Sequence, residues 1–167
     1  WAEGSYEYHI NRPVNYILEA DGEKRAFLEK TRFFESGFPE RISGASDDQR
    51  MVQLRFATER TVDLIVREYE RRAGKILLVV NSYVQAQEVQ RTLETALRKV
   101  NCPAQVCRMI SDAVSSENVQ GTVRRGEVSR FAGMKEEILI APAMAIERGH
   151  NIVDEYGHSA LCAVFFM

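Results

Sequence analysis

Cysteine is scarce. Three thiols, Cys102, Cys107 and Cys162, occur in 167 residues, an odd number with no paired ligand spacing. That argues against a disulfide framework and against a zinc module, and predicts buried free thiols in a reducing compartment. Charge of one sign is also missing. Lysine plus arginine is 22 and aspartate plus glutamate is 24, so 22 − 24 = −2. Bulk charge therefore does not indicate a basic nucleic-acid module, although it leaves room for a local basic patch. No apolar run approaches the ~20 residues that span a bilayer, and no secretory signal, internal repeat or low-complexity tract is present.

What is there is ordinary in amount and informative in order. Hydrophobic residues make up 45% and charged residues 28%, enough for one domain with a real core. The chain begins at Trp1 and stops inside "ALCAVFFM", Ala160 to Met167, which reads as a strand that should be buried. A fragment of a longer protein is therefore expected. Residues 1–45 read as an N-terminal extension or linker packing on the domain, with a strand over Val14 to Ala20 and a short helix over Glu23 to Ser36. Residues 46–167 read as the domain itself.

Within that domain a long helix is expected first, capped by Asp47 or Asp48. Its stripe is Leu54, Thr58, Val62, Ile65 and Tyr69, and Gly74 ends it. Ile76 to Val80 is continuous and apolar, as in a parallel strand covered on both faces. A second helix follows from about Val84 to Lys99, with Val89, Leu93, Ala96, Leu97 and Val100 inward. Ser82 and Gln85 stand at capping-box spacing before it. Further strands are expected at Gln105 to Ile110, Glu137 to Ala141 and the terminal "ALCAVFF". A helix is expected over Thr122 to Ala132, carrying Val128 and Phe131 inward. Strands alternating with helices predict an α/β fold, a parallel sheet flanked by helices.

Open parallel sheets bind ligands beyond the carboxyl ends of their strands. Three segments arrive there: Asn81-Ser82-Tyr83, the loop from Ser111 to Glu117, and Pro142 to Asn151. Ser82 opens a helix, where free N–H groups attract phosphate, or it serves only as a cap. In "ILIAPAMAIERGHNIVD", Gly149 permits close approach or positive φ. Arg148 can pair with phosphate or with a neighbouring carboxylate. Asn151 can bond a ribose hydroxyl, and Glu147 can hold water or orient Arg148. The bland reading of this stretch is a turn with a surface ion pair. His150, His158 and His9 lack a context that would make any of them a base.

The order of these pieces resembles the second RecA-like domain of superfamily 2 helicases. "KILLVVNSYVQAQEVQRTL" is similar to that family's motif IV strand and helix. "VQGTVRRGEVSRFAGMKEEILIAPAMAIERGHNI" is similar to its next helix, Phe-containing turn and motif V. Arg148-Gly149-His150-Asn151 matches the Arg-Gly-x-Asp of motif V with Asn151 in place of Asp, and Pro142 stands where the family has Thr. Gln120 and Arg124 resemble its Gln/Arg pair at a spacing one residue off. The resemblance covers Lys75 to Met167, and the long helix before it is similar to the XPD and DinG type.

The resemblance implies a RecA-like, P-loop NTPase-like domain 2 that works in an ATP-driven motor on DNA or RNA. Glu147, Arg148, Gly149 and Asn151 would face the nucleotide. Ser82, Tyr83, Gln120, Arg124 and Arg125 would contact nucleic acid. ATP and Mg2+ would be bound with the first RecA-like domain of the same longer chain, away from any membrane, in the cytoplasm or a eukaryotic nucleus. No G-x-x-x-x-G-K-S/T stretch is present, and the chain stops before motif VI, so the chain alone is expected to be catalytically inactive. Two other functions fit the same residues: an inactive RecA-like docking module, and an unrelated parallel α/β enzyme using Glu147 and His150.

Overall fold

The first described helix, α1 (Asp47–Arg71), starts at Ser46. The Ser46 hydroxyl accepts from the Gln49 N–H, and the Gln49 side chain accepts from the Ser46 N–H. That complete capping box takes the place expected for Asp47 or Asp48, which instead put two negative charges in the first turn. The computed structural model describes residues 46–113, 120–146 and 152–167, so the readings made for residues 1–45 lie outside it. The α1 stripe forms as its spacing predicts: Leu54, Thr58, Val62 and Ile65 are buried, and Tyr69 packs against the same core. The end differs. Arg72, not Gly74, takes the left-handed conformation, at φ 48°.

Gly74 has another task. Its φ is +150°, and a Cβ there would lie 2.7 Å from the Ala160 carbonyl oxygen. The same oxygen accepts from the Lys75 N–H at 2.7 Å. The chain thus enters β1 (Lys75–Val80) pressed against the segment that leads into the last strand.

Helix α2 (Tyr83–Lys99) buries Ala86, Val89, Leu93, Ala96 and Leu97. Val100 is 47% exposed, because it is the C-cap and lies past the last turn that faces the core. The remaining elements are β2 (Val106–Ile110), β3 (Thr122–Arg124), a 3-10 helix η1 (Arg125–Gly133), β4 (Ile138–Pro142), the short α3 (Ala143–Ile146) and β5 (Leu161–Phe166). They give the expected α/β class: one sheet in the order β3-β2-β4-β1-β5, every neighbouring pair parallel, with helices flanking it.

Strand β4 is central, lying between β2 and β1, and it runs through Pro142, which pairs in register with Val80. Ile76, Leu78, Val80, Val106, Ile138 and Ile140 face α1 and α2. Leu77, Val79, Cys107, Met109, Leu139 and Ala141 face η1 and α3. Both faces of the central strands are therefore covered, which explains their unbroken apolar sequences.

Two expectations fail here. The helix expected over Thr122 to Ala132 is replaced by β3 and η1. Thr122, Val123 and Arg124 pair with Arg108, Met109 and Ile110, and the Gly126 N–H donates to the Asp112 carboxylate at 3.0 Å. Those tertiary bonds outweigh a helix that Gly126 already weakens. Val128 and Phe131 still turn inward and are fully buried. Second, β5 is an edge strand and only half-buried, with Phe166 82% exposed.

Lys75 ties the amino ends together. Its Nζ donates to the Met134 carbonyl at 2.5 Å and the Glu136 carbonyl at 2.8 Å, and lies 5.3 Å from the centre of the Phe131 ring. Among the described residues no helix is long and apolar enough to cross a membrane.

Candidate functional site

The outgoing connections of β1 and β4 part company. The chain leaves β1 through Asn81 and Ser82 into α2, whose buried residues all pack on one face of the sheet. It leaves β4 through α3, and Ala145 and then Ile152 pack on the other face. Strands β1 and β4 are neighbours. Two adjacent parallel strands whose connections depart to opposite faces leave a crevice between their carboxyl ends. By that rule the ligand position falls between Asn81-Ser82 and Pro142-Ala143.

Ser82 forms its wall. The Ser82 hydroxyl accepts from the Gln85 N–H at 3.2 Å. The reciprocal arm is displaced by one residue from the expected box: the Gln85 side chain accepts from Asn81, not from Ser82, at 2.9 Å. The N–H groups of Tyr83 and Val84 meet no acceptor among the described residues. They lie at the positive end of the α2 dipole, next to the crevice. Tyr83 is half-buried and packs against the η1 side of the core.

Arg124 and Arg125 stand on the same carboxyl rim, where β3 passes into η1. Three strand spacings separate β3 from β1, so the pair lies about 14 Å along the rim from Ser82. Arg124 Nη1 donates to the Asp112 carbonyl at 3.1 Å. The Asp112 carboxylate holds Gly126, and these two bonds fix the rim on either side of the arginines. Both arginines are half-buried.

The structure does not bring Gln120 to this group. Gln120 is an exposed turn residue just before β3, at the amino end of a strand whose carboxyl end carries Arg124. A strand separates them, so they share no helical face. Glu147, Arg148, Gly149, His150 and Asn151 lie outside the described residues. They follow α3 directly and precede Ile152, which is buried.

No protein-family model, curated protein or solved structure matches the chain.

The opposite rim carries a concavity of its own. A cleft of ≈ 470 Å³ lies at the amino ends of the strands, lined by Arg72, Lys75, Glu137, Asp154 and Ser159 among others. Its charged groups are mostly engaged. Lys75 is held by two carbonyls, Glu137 accepts from the Gln105 N–H at 2.8 Å, and Asp154 accepts from the Tyr156 and His158 N–H groups at 2.9 Å. His158 sits on this exposed loop, with Nδ1 3.8 Å from the Asp154 carboxylate. It closes a turn, and its side chain is 80% exposed.

Nor do Cys107 and Cys162 supply a nucleophile. Burial, then the nearby Glu136 carboxylate, push Cys107 up to about 12, outweighing the opposing Lys75 charge. Burial likewise raises Cys162. Both are protonated at neutral pH and unreactive. Among the described residues no group of three or more His, Cys, Asp or Glu side chains could hold a metal ion.

Proposed function

We propose that this chain is the second motor domain of an ATP-dependent helicase or translocase, contributing one wall of a nucleotide cleft and a surface for the nucleic-acid backbone. The observation that carries the reading is the departure of the β1 and β4 connections to opposite faces of the sheet. The Val80–Pro142 pairing sets the start of α2 beside Ala143, and Arg148 and Gly149 follow in sequence. Sequence order adds support, since the strand–helix unit, the Phe-containing turn and the Arg-Gly turn follow one another as in the RecA-like domains that the chain resembles.

In this reading Glu147, Arg148, Gly149 and Asn151 meet ATP, with Asn151 toward the ribose and Arg148 toward the other RecA-like domain. ATP brings the phosphoanhydride whose cleavage drives the motor, and Mg2+ offsets its charge. The residues of this chain orient and bind. The free N–H groups at the start of α2 and the guanidinium groups of Arg124 and Arg125 hold phosphodiester oxygens. Partners are DNA or RNA and the first RecA-like domain, in the cytoplasm or nucleus.

The test is binding of a short single-stranded oligonucleotide by fluorescence anisotropy over a range of salt. Each phosphate contact contributes about 0.7 to the slope of log K against log salt for single strands. Arg124→Ala and Arg125→Ala should each flatten it by about that amount. Unchanged affinity and slope in both variants would refute the backbone surface.

A further inference from the structure

One row of side chains crosses the α2 face of the sheet. In register it runs Phe165, Leu78, Ile140, Arg108 and Thr122, from β5 to β3. The row is apolar until it reaches Arg108, in the middle of β2. Val106, two residues before, is buried against α2, so Arg108 points to the same side. Arg108 is itself only half-buried.

Its guanidinium has no hydrogen-bond or ion-pair partner among the described residues. Two of its described neighbours on this face are neutral. Gln90 of α2 donates to the Val106 and Gly121 carbonyls at 3.4 and 3.0 Å, and Thr122 stands opposite on β3. Burial lowers the guanidinium from its ordinary value, and no carboxylate among the described residues offsets it. A partly desolvated cation without a counter-charge weakens the folded state. A strand at this place would be served better by an apolar side chain.

Arg124 lies on the same face, one strand across and two residues along, about 8 Å away between Cα atoms. It ends β3 at the carboxyl rim. The two guanidinium groups thus form a line that starts on the sheet face and ends where the proposed backbone surface begins.

We propose that Arg108 is a phosphate-binding residue that extends the nucleic-acid track from the carboxyl rim onto the α2 face at the β3 edge. The planar fork of arginine suits a phosphodiester, and an incoming phosphate supplies the charge that the described residues do not. This inference rests on the backbone-binding reading above. The bland alternative is an arginine one strand in from the edge whose stem prolongs the apolar row while its head meets water.

Arg108→Met keeps the straight stem and removes the charge. Arg108→Lys keeps the charge and removes the fork. With a single-stranded deoxythymidine oligonucleotide as probe, Arg108→Met should weaken binding about tenfold and flatten the salt slope by about 0.7. Arg108→Lys should keep the slope and lose only part of the affinity. The melting temperature of Arg108→Met should be equal to or above that of the parent, because an uncompensated cation has gone. Lower melting with unchanged binding would overturn the proposal and make Arg108 structural. If Arg124→Ala and Arg125→Ala flatten the slope but Arg108→Met does not, the inference fails and the rim surface stands. If none of the three matters, or the parent chain does not bind, both fail.

Discussion

Replacing Gly74 with alanine tests how the sheet is closed at its edge. The new Cβ would lie 2.7 Å from the Ala160 carbonyl oxygen and 3.3 Å from the Cys162 Cβ. The oxygen cannot retreat freely, because it also accepts from the Lys75 N–H. In addition, φ of +150° is a region that residues with a Cβ occupy at a cost of about 1–3 kcal/mol. Relief requires β5 to move away from β1, which loosens Ala163 and Phe165 over the core. Strain and loosened packing together should cost about 3 kcal/mol. At a urea dependence of about 2 kcal/mol per molar, the midpoint should fall by about 1.5 M. Gly133→Ala is the control: nothing lies within 4 Å of its Cβ, so it should be neutral or slightly stabilising. Equal midpoints for Gly74→Ala and the parent would refute the close approach of β5 to β1.

The other expectations concern the cap, the thiol, the ring under Lys75 and catalysis. Ser82→Ala should lower stability by about 1 kcal/mol in urea unfolding. Ser82→Asp should keep the cap yet weaken oligonucleotide binding through added negative charge, and undiminished binding would make Ser82 a cap alone. Cys107 is protonated in the folded chain up to about 12, against 9.0 for a free thiol. Its contribution to stability is therefore complete below pH 9.0 and lost as the pH rises toward 12. Cys107→Ala should flatten that part of the pH–stability profile, and a thiol reagent should reach Cys107 only on unfolding. Phe131→Ala should cost about 3–5 kcal/mol, since the ring is fully buried and lies beneath the Lys75 ammonium. The chain alone should show no ATP hydrolysis above background; turnover abolished by changing Glu147 or His150 would refute the motor-domain reading.

The main elements were legible because burial on both faces writes itself into sequence. Ile76 to Val80 and Ile138 to Ala141 are continuous apolar runs, and the stripes of α1 and α2 keep helical spacing. What escaped was set by contacts distant in sequence. Strand β3 is three residues long and exists by pairing with β2, so no periodicity announces it. The alternation of Thr122, Val123 and Arg124 around one buried valine was its only signal. Arg108 escaped because a lone charge within "QVCRMI" reads as a solvated position until the register places it in the α2-facing row. Gly74 was legible as a breaker, but its contact with Ala160 bridges 86 residues and cannot be seen locally. At the carboxyl rim, the arrival of Asn81-Ser82 and Pro142 could be read from strand direction, whereas the divergence of their connections to opposite faces required the structure.

Amide hydrogen exchange with and without a single-stranded oligonucleotide tests the central claim most directly, because it compares the two rims of one sheet in one sample. The account predicts protection at Tyr83 and Val84 and across Arg124 to Gly126, with none at Arg72 to Lys75 or Asp154 to Ala160. Protection confined to the cleft at the amino ends of the strands, with the carboxyl rim unchanged, would contradict it.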